Sequence, residues 1–152
     1  MASGNKTLGI LLASVAATTA MTAFSHFFSK AKKDNYNEPV LLGDFLEKAV
    51  IKEKRSALVS AWTVHYAVGF LFGLIYEPTF KKIKTRSATK KGLCFGLSAG
   101  SIAIVAWSMV FKMHPDKPKI NFRVYYQQLM AAHLIFGLVF AKASDPQNEV
   151  HD

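Results

Sequence analysis

The sequence predicts an all-α protein, an integral membrane four-helix bundle with up-down-up-down topology and a short amphipathic helix in its first loop. Hydrophobic residues make up 51% of the chain and charged residues only 19%, below the roughly 25% of soluble domains. Residues 7–28 and 92–111 contain no Asp, Glu, Lys or Arg, and about 20 such residues span the hydrocarbon core of a bilayer. The charges lie between the apolar stretches, as in multi-pass membrane proteins.

The first predicted span, 7–28, is rich in Ala, Thr and Ser. A cleaved signal peptide is the alternative interpretation. However, only Lys6 precedes the apolar run, and the run is longer than the roughly 7–15 residues of a signal-peptide core. The run also continues through Phe27 and Phe28. We therefore predict a retained helix.

The connection from residue 30 to residue 55 contains the predicted amphipathic helix, over 39–54. Pro39 suits the first turn of a helix, and apolar residues then recur at helical spacing. The helix is predicted to lie on the membrane surface or to cap the bundle; an ordinary linker helix explains the pattern equally well. Its predicted apolar face consists of Leu42, Phe45, Leu46, Ala49 and Val50.

Three further apolar stretches complete the predicted bundle. Trp62 and Tyr76 lie near the ends of the second span, as interfacial aromatics often do, and Pro78 is predicted to end it. The loops after the second and third spans are short, which favours antiparallel neighbours. These three spans are predicted over 57–77, 92–111 and 122–141.

The net charge of +9 is concentrated in the loops. We expect these loops to contact anionic lipid headgroups rather than nucleic acid. Orientation stays open, because the two indications conflict. The side of the amino terminus carries eight Lys and Arg against eleven opposite, which favours an external amino terminus. The loop 80–91, on the side of the amino terminus, is nevertheless the densest and shortest purely basic segment, which favours a cytoplasmic one.

Helices two and four share a pattern at an offset of 68 residues. Both helices are predicted to run in the same direction, so the pattern predicts a parallel repeat of two helix pairs. Chance similarity within a restricted apolar alphabet is the alternative. The matched residues are His65 with His133, Gly69 with Gly137, and Phe72 with Phe140.

Small residues at four-residue steps indicate close helix packing, since they let two backbones approach in lipid. They predict a tight bundle with little interior volume, which argues against a haem. The predicted packing residues are Gly69, Gly73, Gly92, Gly96, Gly100 and Gly137.

His65 and His133 fall in mid-span, where ionisable residues usually face the bundle interior. Three interpretations remain open. Each ring hydrogen-bonds a neighbour as a neutral imidazole; or the pair lines a polar or proton path; or the pair binds haem or a metal. The predicted hydrogen-bond partners are Thr18, Thr22, Ser98, Ser101 and Gln128, and the predicted participants in a path are Glu77, Tyr66 and Tyr76.

Other polar residues near the spans are weaker candidates. His26 and His114 end spans on the same predicted side, so they are candidates for a surface metal site, although interfacial positions explain them as well. Glu77 is expected to pair with Lys81 or Lys82 at a span end. Gln128 is a further polar residue within the membrane. No cofactor is predicted.

Parts of the chain resemble a known group of proteins. These parts are Ala-Thr-Thr-Ala-Met21-Thr-Ala-Phe, the segment Asn37-Glu-Pro39-Val-Leu-Leu-Gly43 and the two His-x-x-x-Gly helices. They are similar to YagU-like small bacterial inner-membrane proteins with four spans, over most of the chain. The resemblance implies a multi-pass protein of the bacterial inner membrane and implies no particular activity.

The sequence contains no Walker loop, dinucleotide fingerprint, CxxC, HExxH or nucleophile elbow. We therefore predict a non-enzymatic structural or assembly subunit, acting as a homo-oligomer or with another membrane protein. A small transporter or channel-like protein using His65 and His133 is the first alternative. A haem or metal protein using the same histidines is the second.

Overall fold

The computed structural model describes residues 2–83, 85 and 87–144, and for residues 2–5 the backbone alone. This part of the chain is all-helical, which confirms the predicted fold class. Its helices are α1 (Ala2–Lys32), α2 (Glu38–Ala49), α3 (Lys54–Thr79), α4 (Ala88–Met113) and α5 (Phe122–Ser144).

Four of these helices, α1, α3, α4 and α5, are long and apolar enough to cross a bilayer. The protein is therefore a multi-pass integral membrane protein. Each helix extends beyond the predicted apolar stretch, since a helix can continue into the headgroup region with polar residues. The second span was predicted to end at Pro78, but α3 continues one residue further, to Thr79. The backbone N–H of Phe80 bonds the carbonyl of Tyr76 at 2.9 Å and closes a last turn that contains the proline.

Contacts between helix ends establish the up-down-up-down arrangement. Lys6, near the start of α1, pairs with Glu77, near the end of α3. Ser25, late in α1, contacts Gln128, early in α5. Phe111 at the end of α4 packs on the start of α5. Each pair of packed spans is therefore antiparallel.

The packing order is α4, α5, α1, α3, with α2 against α3. The spans α3 and α4 follow each other in sequence, and their short loop predicted close neighbours. That prediction was right at only one end. The rings of Tyr76 and Phe80 pack on Phe95 there, whereas the two backbones barely approach each other along the rest of their described length. The bundle is consequently open between α3 and α4.

The helix α2 caps the open end of the bundle, and its start is buried. Glu38, Pro39, Leu41 and Gly43 are buried, whereas Val50 is 74% exposed. The predicted range of 39–54 was therefore too long, because the helix ends at Ala49. The most buried residues of α2 also differ from the predicted apolar face, since α2 enters the bundle with its amino-terminal end rather than lying flat with one stripe inward.

Glycines set the closest helix approach, between α4 and α5. A Cβ at Gly92 would lie 2.7 Å from the carbonyl oxygen of Gly137, and one at Gly96 would lie 2.6 Å from that of His133. Gly69 and Gly73 instead face the side chains of Thr18 and Ser14 on α1. Each of the matched residues Gly69 and Gly137 thus packs on the preceding span of its own predicted pair.

The predicted repeat gives α1 and α4 equivalent roles, and likewise α3 and α5. The contact between α1 and α5 then corresponds to that between α4 and α3. The helices α1 and α5 pack closely, whereas α3 and α4 stay apart over most of their length. The two halves are therefore not assembled symmetrically. This asymmetry creates the cavity described below.

Candidate functional site: a lateral cavity with two histidines and a glutamate

A cavity of about 240 Å³ occupies the opening between α3 and α4. The prediction of little interior volume was therefore wrong, because the close glycine contacts are confined to one side of the bundle. The mouth is formed by Val64, Val68 and Ile102, which are 45%, 42% and 58% exposed. These side chains face the bilayer, so the cavity opens laterally. Its interior is lined by Thr18, Glu38, His65, Phe72, Trp107, His133 and Phe136, among others.

The half-buried His65 is held by α1. Its Nε2 lies 2.8 Å from Thr22 Oγ1, and the Thr22 hydroxyl donates to the carbonyl oxygen of Thr18 at 2.7 Å. Because a hydroxyl carries one proton, Thr22 accepts from His65, whose Nε2 must then carry hydrogen. The neutral ring consequently keeps Nδ1 as an acceptor.

His133 on α5 is buried and is held by its own helix. Its Nδ1 lies 2.8 Å from the carbonyl oxygen of Leu129, which can only accept. Nδ1 therefore carries the hydrogen and Nε2 is the acceptor. Of the predicted partners, Ser98 and Ser101 instead donate to carbonyls of their own helix.

The two histidines, predicted as a pair from the matched pattern, line the same cavity. Phe72 packs its ring on His133 with centroids 6.5 Å apart. Within the described residues, neither His65 Nδ1 nor His133 Nε2 has a hydrogen-bond partner. The cavity therefore presents two ring nitrogens that accept hydrogen bonds.

A buried polar cluster closes the cavity at the end near α2. The Ser25 hydroxyl lies 2.9 Å from Glu38 Oε1, and Gln128 Nε2 donates to Ser25 Oγ at 2.6 Å and to Glu38 Oε1 at 3.3 Å. Gln128 thus pairs with Ser25 and Glu38 rather than with a histidine. All three residues are at most 2% exposed. Glu38 Oε2 is buried without a hydrogen-bond partner among the described residues.

Burial raises the pKa of the Glu38 carboxyl from its ordinary value of 4.5 to about 7, and the hydrogen bonds from its own backbone N–H and from the Ser25 and Gln128 side chains offset only part of this effect. Glu38 lies on α2, outside the four spans. It therefore exchanges a proton near neutral pH. Sequence reasoning did not identify it as a site residue. The available signal was an acidic residue directly before Pro39, at the start of a helix joined to a span by a short loop.

Hydroxyl side chains form a buried stripe along α1. They recur at three- or four-residue steps, which places them on one helix face. The oxygens of Ser14 and Thr18 are buried without a hydrogen-bond partner among the described residues. The stripe runs from the region of Gly73 to the Glu38 cluster. Its members are Ser14, Thr18, Thr22 and Ser25, each no more than 6% exposed.

The remaining candidates lie elsewhere. His26 is exposed and packs on Phe27, whereas His114 is buried with its Nε2 3.3 Å from Asp44 Oδ2. The structure brings these two histidines to different partners. Among the described residues, no three His, Cys, Asp or Glu side chains are grouped to hold a metal ion.

Glu77 pairs with Lys81 at 2.9 Å, one of its two predicted partners, and also with Lys6 of α1 at 3.0 Å. It lies at the bundle end opposite α2. The residues predicted to form a path with the histidines therefore lie in different places. Glu77 belongs to an ion-pair group, and Tyr66 contacts Thr19 with a distance of 3.1 Å between the two hydroxyl oxygens.

Comparisons with protein-family models, curated proteins and solved structures give no significant match to this chain.

Proposed function

We propose that this protein is a small transporter or channel-like protein that moves protons along a path through His65, His133 and Glu38. One observation carries the proposal: these three titratable side chains, from three different helices, line one cavity between membrane spans. Intramembrane ionisable residues that face a cavity commonly mark ion or proton paths.

The surroundings of the three residues support proton movement. The cavity volume of about 240 Å³ accommodates several waters, at ~30 Å³ each. Each histidine has one nitrogen already bonded and one available as an acceptor, so each ring can take up a proton from a water in the cavity at the available nitrogen and return it there. The buried hydroxyls of Ser14 and Thr18 extend polar groups along α1.

Proton uptake by liposomes tests the proposal. Purified protein is reconstituted with a pH-sensitive dye inside, and a potassium diffusion potential, negative inside, drives protons inward. The wild-type protein is expected to acidify the lumen. His65→Leu and His133→Leu are each expected to reduce the protein-dependent rate at least tenfold. Leucine lacks the proton-accepting nitrogen but is an apolar side chain of similar size, so it fills the same space.

Val105→Ala is the matched control, since Val105 is 54% exposed on α4 and does not line the cavity. It is expected to leave the rate unchanged. Helical content and thermal unfolding of each variant are measured alongside. Wild-type liposomes that behave like protein-free liposomes contradict the proposal, as do histidine variants that keep both their fold and the full rate.

The competing proposals are a structural or assembly subunit and a haem protein. A stable partner or homo-oligomer in a mild-detergent pull-down, with no proton flux, favours the first. A Soret absorption band in the purified protein favours the second. The bacterial inner membrane is the proposed location, on the basis of the YagU-like resemblance.

A further inference from the structure

We infer that the lateral cavity binds a small aromatic alcohol, of phenol or hydroquinone type, whose hydroxyl donates to a free ring nitrogen of His65 or His133. The inference rests on the cavity of the proposed proton path and assigns a ligand class to it. Three features of the cavity lead to this class: its polar groups, its walls and its entrance.

The polar groups of the cavity favour a neutral ligand that donates a hydrogen bond. Thr22 fixes His65 with Nδ1 as the acceptor, and the Leu129 carbonyl fixes His133 with Nε2 as the acceptor. Both available nitrogens thus accept hydrogen bonds and do not donate while the rings are neutral. An anion would meet these lone pairs and the Glu38 carboxyl. A lipid acyl chain would leave both nitrogens without a partner, which is costly in an apolar site.

The walls suit an aromatic ring. Phe72, Phe136 and Trp107 line the cavity together with aliphatic side chains, and aromatic pairs gain from offset-stacked or edge-to-face packing. The volume of about 240 Å³ is sufficient, since an apolar cavity of about 150 Å³ in another protein holds a benzene ring. The space left over accommodates ring substituents.

The entrance faces the bilayer. Val64 and Val68 on α3 and Ile102 on α4 line the cavity while remaining 42–58% exposed. A molecule dissolved in the membrane can therefore enter between the two spans without crossing the headgroup region. A ring that carries an alkyl tail can place its hydroxyl inside while the tail stays in lipid.

Quenching of Trp107 fluorescence tests the inference. The chain has two tryptophans, so Trp62→Phe leaves Trp107, in the cavity wall, as the single reporter. The probes are 4-bromophenol and 4-bromotoluene, which share the ring and the quenching bromine but differ in the hydroxyl. After correction for partition into the same micelles, bromophenol is expected to quench saturably and with about tenfold lower half-saturation than bromotoluene. Equal or non-saturable quenching by the two overturns the inference.

Two sets of variants locate the binding. In the Trp62→Phe background, the double change His65→Leu and His133→Leu is expected to abolish the preference for bromophenol. Ile102→Phe fills the entrance from a lipid-facing position and is expected to raise the half-saturation for bromophenol at least tenfold. Val105→Phe on the same helix, away from the cavity, is the control. If Ile102→Phe and Val105→Phe both leave bromophenol quenching unchanged, the inference is wrong.

The source of the ring is tested by competition between bromophenol and two hydroquinones, one tailless and one with a decyl tail. Tighter competition by the tailed compound assigns the site to membrane-dissolved hydroquinones, and equal competition assigns it to small diffusible phenols. Failure of both to compete overturns the inference. Proton uptake is measured without these compounds, so the two results are independent. A protein that binds phenols but moves no protons contradicts only the proposed function. A protein that moves protons but binds no phenols contradicts only this inference.

Discussion

Replacing Gly137 with alanine is expected to destabilise the bundle by about 2–3 kcal/mol, the usual cost of overpacking a close contact. A Cβ at this position would meet the carbonyl oxygen of Gly92 and lie 2.6 Å from the Gly96 nitrogen and 2.8 Å from its Cα. These are backbone atoms, so no rotamer change relieves the clash and α4 must move away from α5. Reversible unfolding in mixed micelles, followed by helical circular dichroism, measures the loss.

Gly9→Ala is the matched control, because a Cβ there meets nothing within 4 Å. It removes a helix-interior glycine and is expected to be neutral or stabilising by up to about 1 kcal/mol. An unchanged stability of Gly137→Ala contradicts the close α4–α5 packing. The contrast between the two variants separates packing from intrinsic helix propensity, since both make the same chemical change within a long helix.

Glu38→Gln is expected to stabilise the protein by about 3 kcal/mol at pH 8 and to have little effect below pH 4.5. The folded carboxyl has a pKa of about 7 against an ordinary 4.5, and this difference corresponds to about 3 kcal/mol. Below pH 4.5 the carboxyl is protonated in both states and folding is not penalised. Between pH 4.5 and 7 only the unfolded chain ionises, so the stability of the wild-type protein falls as pH rises, and the loss is complete above pH 7.

The measurement is the free energy of unfolding from pH 4 to 8 for both proteins. Glu53 provides a control of opposite sign. Hydrogen bonds from Ser56 and Arg55 lower its pKa, because its carboxylate caps the start of α3. Its contribution to stability is therefore present above pH 4.5 and lost as pH falls, so Glu53→Gln is expected to destabilise at pH 8. A wild-type profile that matches Glu38→Gln at every pH contradicts the buried, titrating glutamate.

The sequence allowed the spans to be predicted because each must satisfy its backbone hydrogen bonds within itself in lipid. Composition alone then marks a helix of sufficient length. The histidines were identifiable for a related reason, since a polar side chain within an apolar stretch stands out against its surroundings. Glu38 did not stand out, because it lies in a polar loop segment and becomes buried only when α2 enters the bundle.

What the sequence by itself determined is therefore the all-helical membrane fold, the approximate spans, and the pairing of His65 with His133 by pattern. Only the tertiary structure decided that α1 closes on α5 while α3 stays apart from α4, and that this opening holds both histidines and Glu38. The physical reason is that small residues permit close packing without specifying which helix will be the neighbour. The choice of neighbour depends on side-chain contacts among all four spans and α2 together.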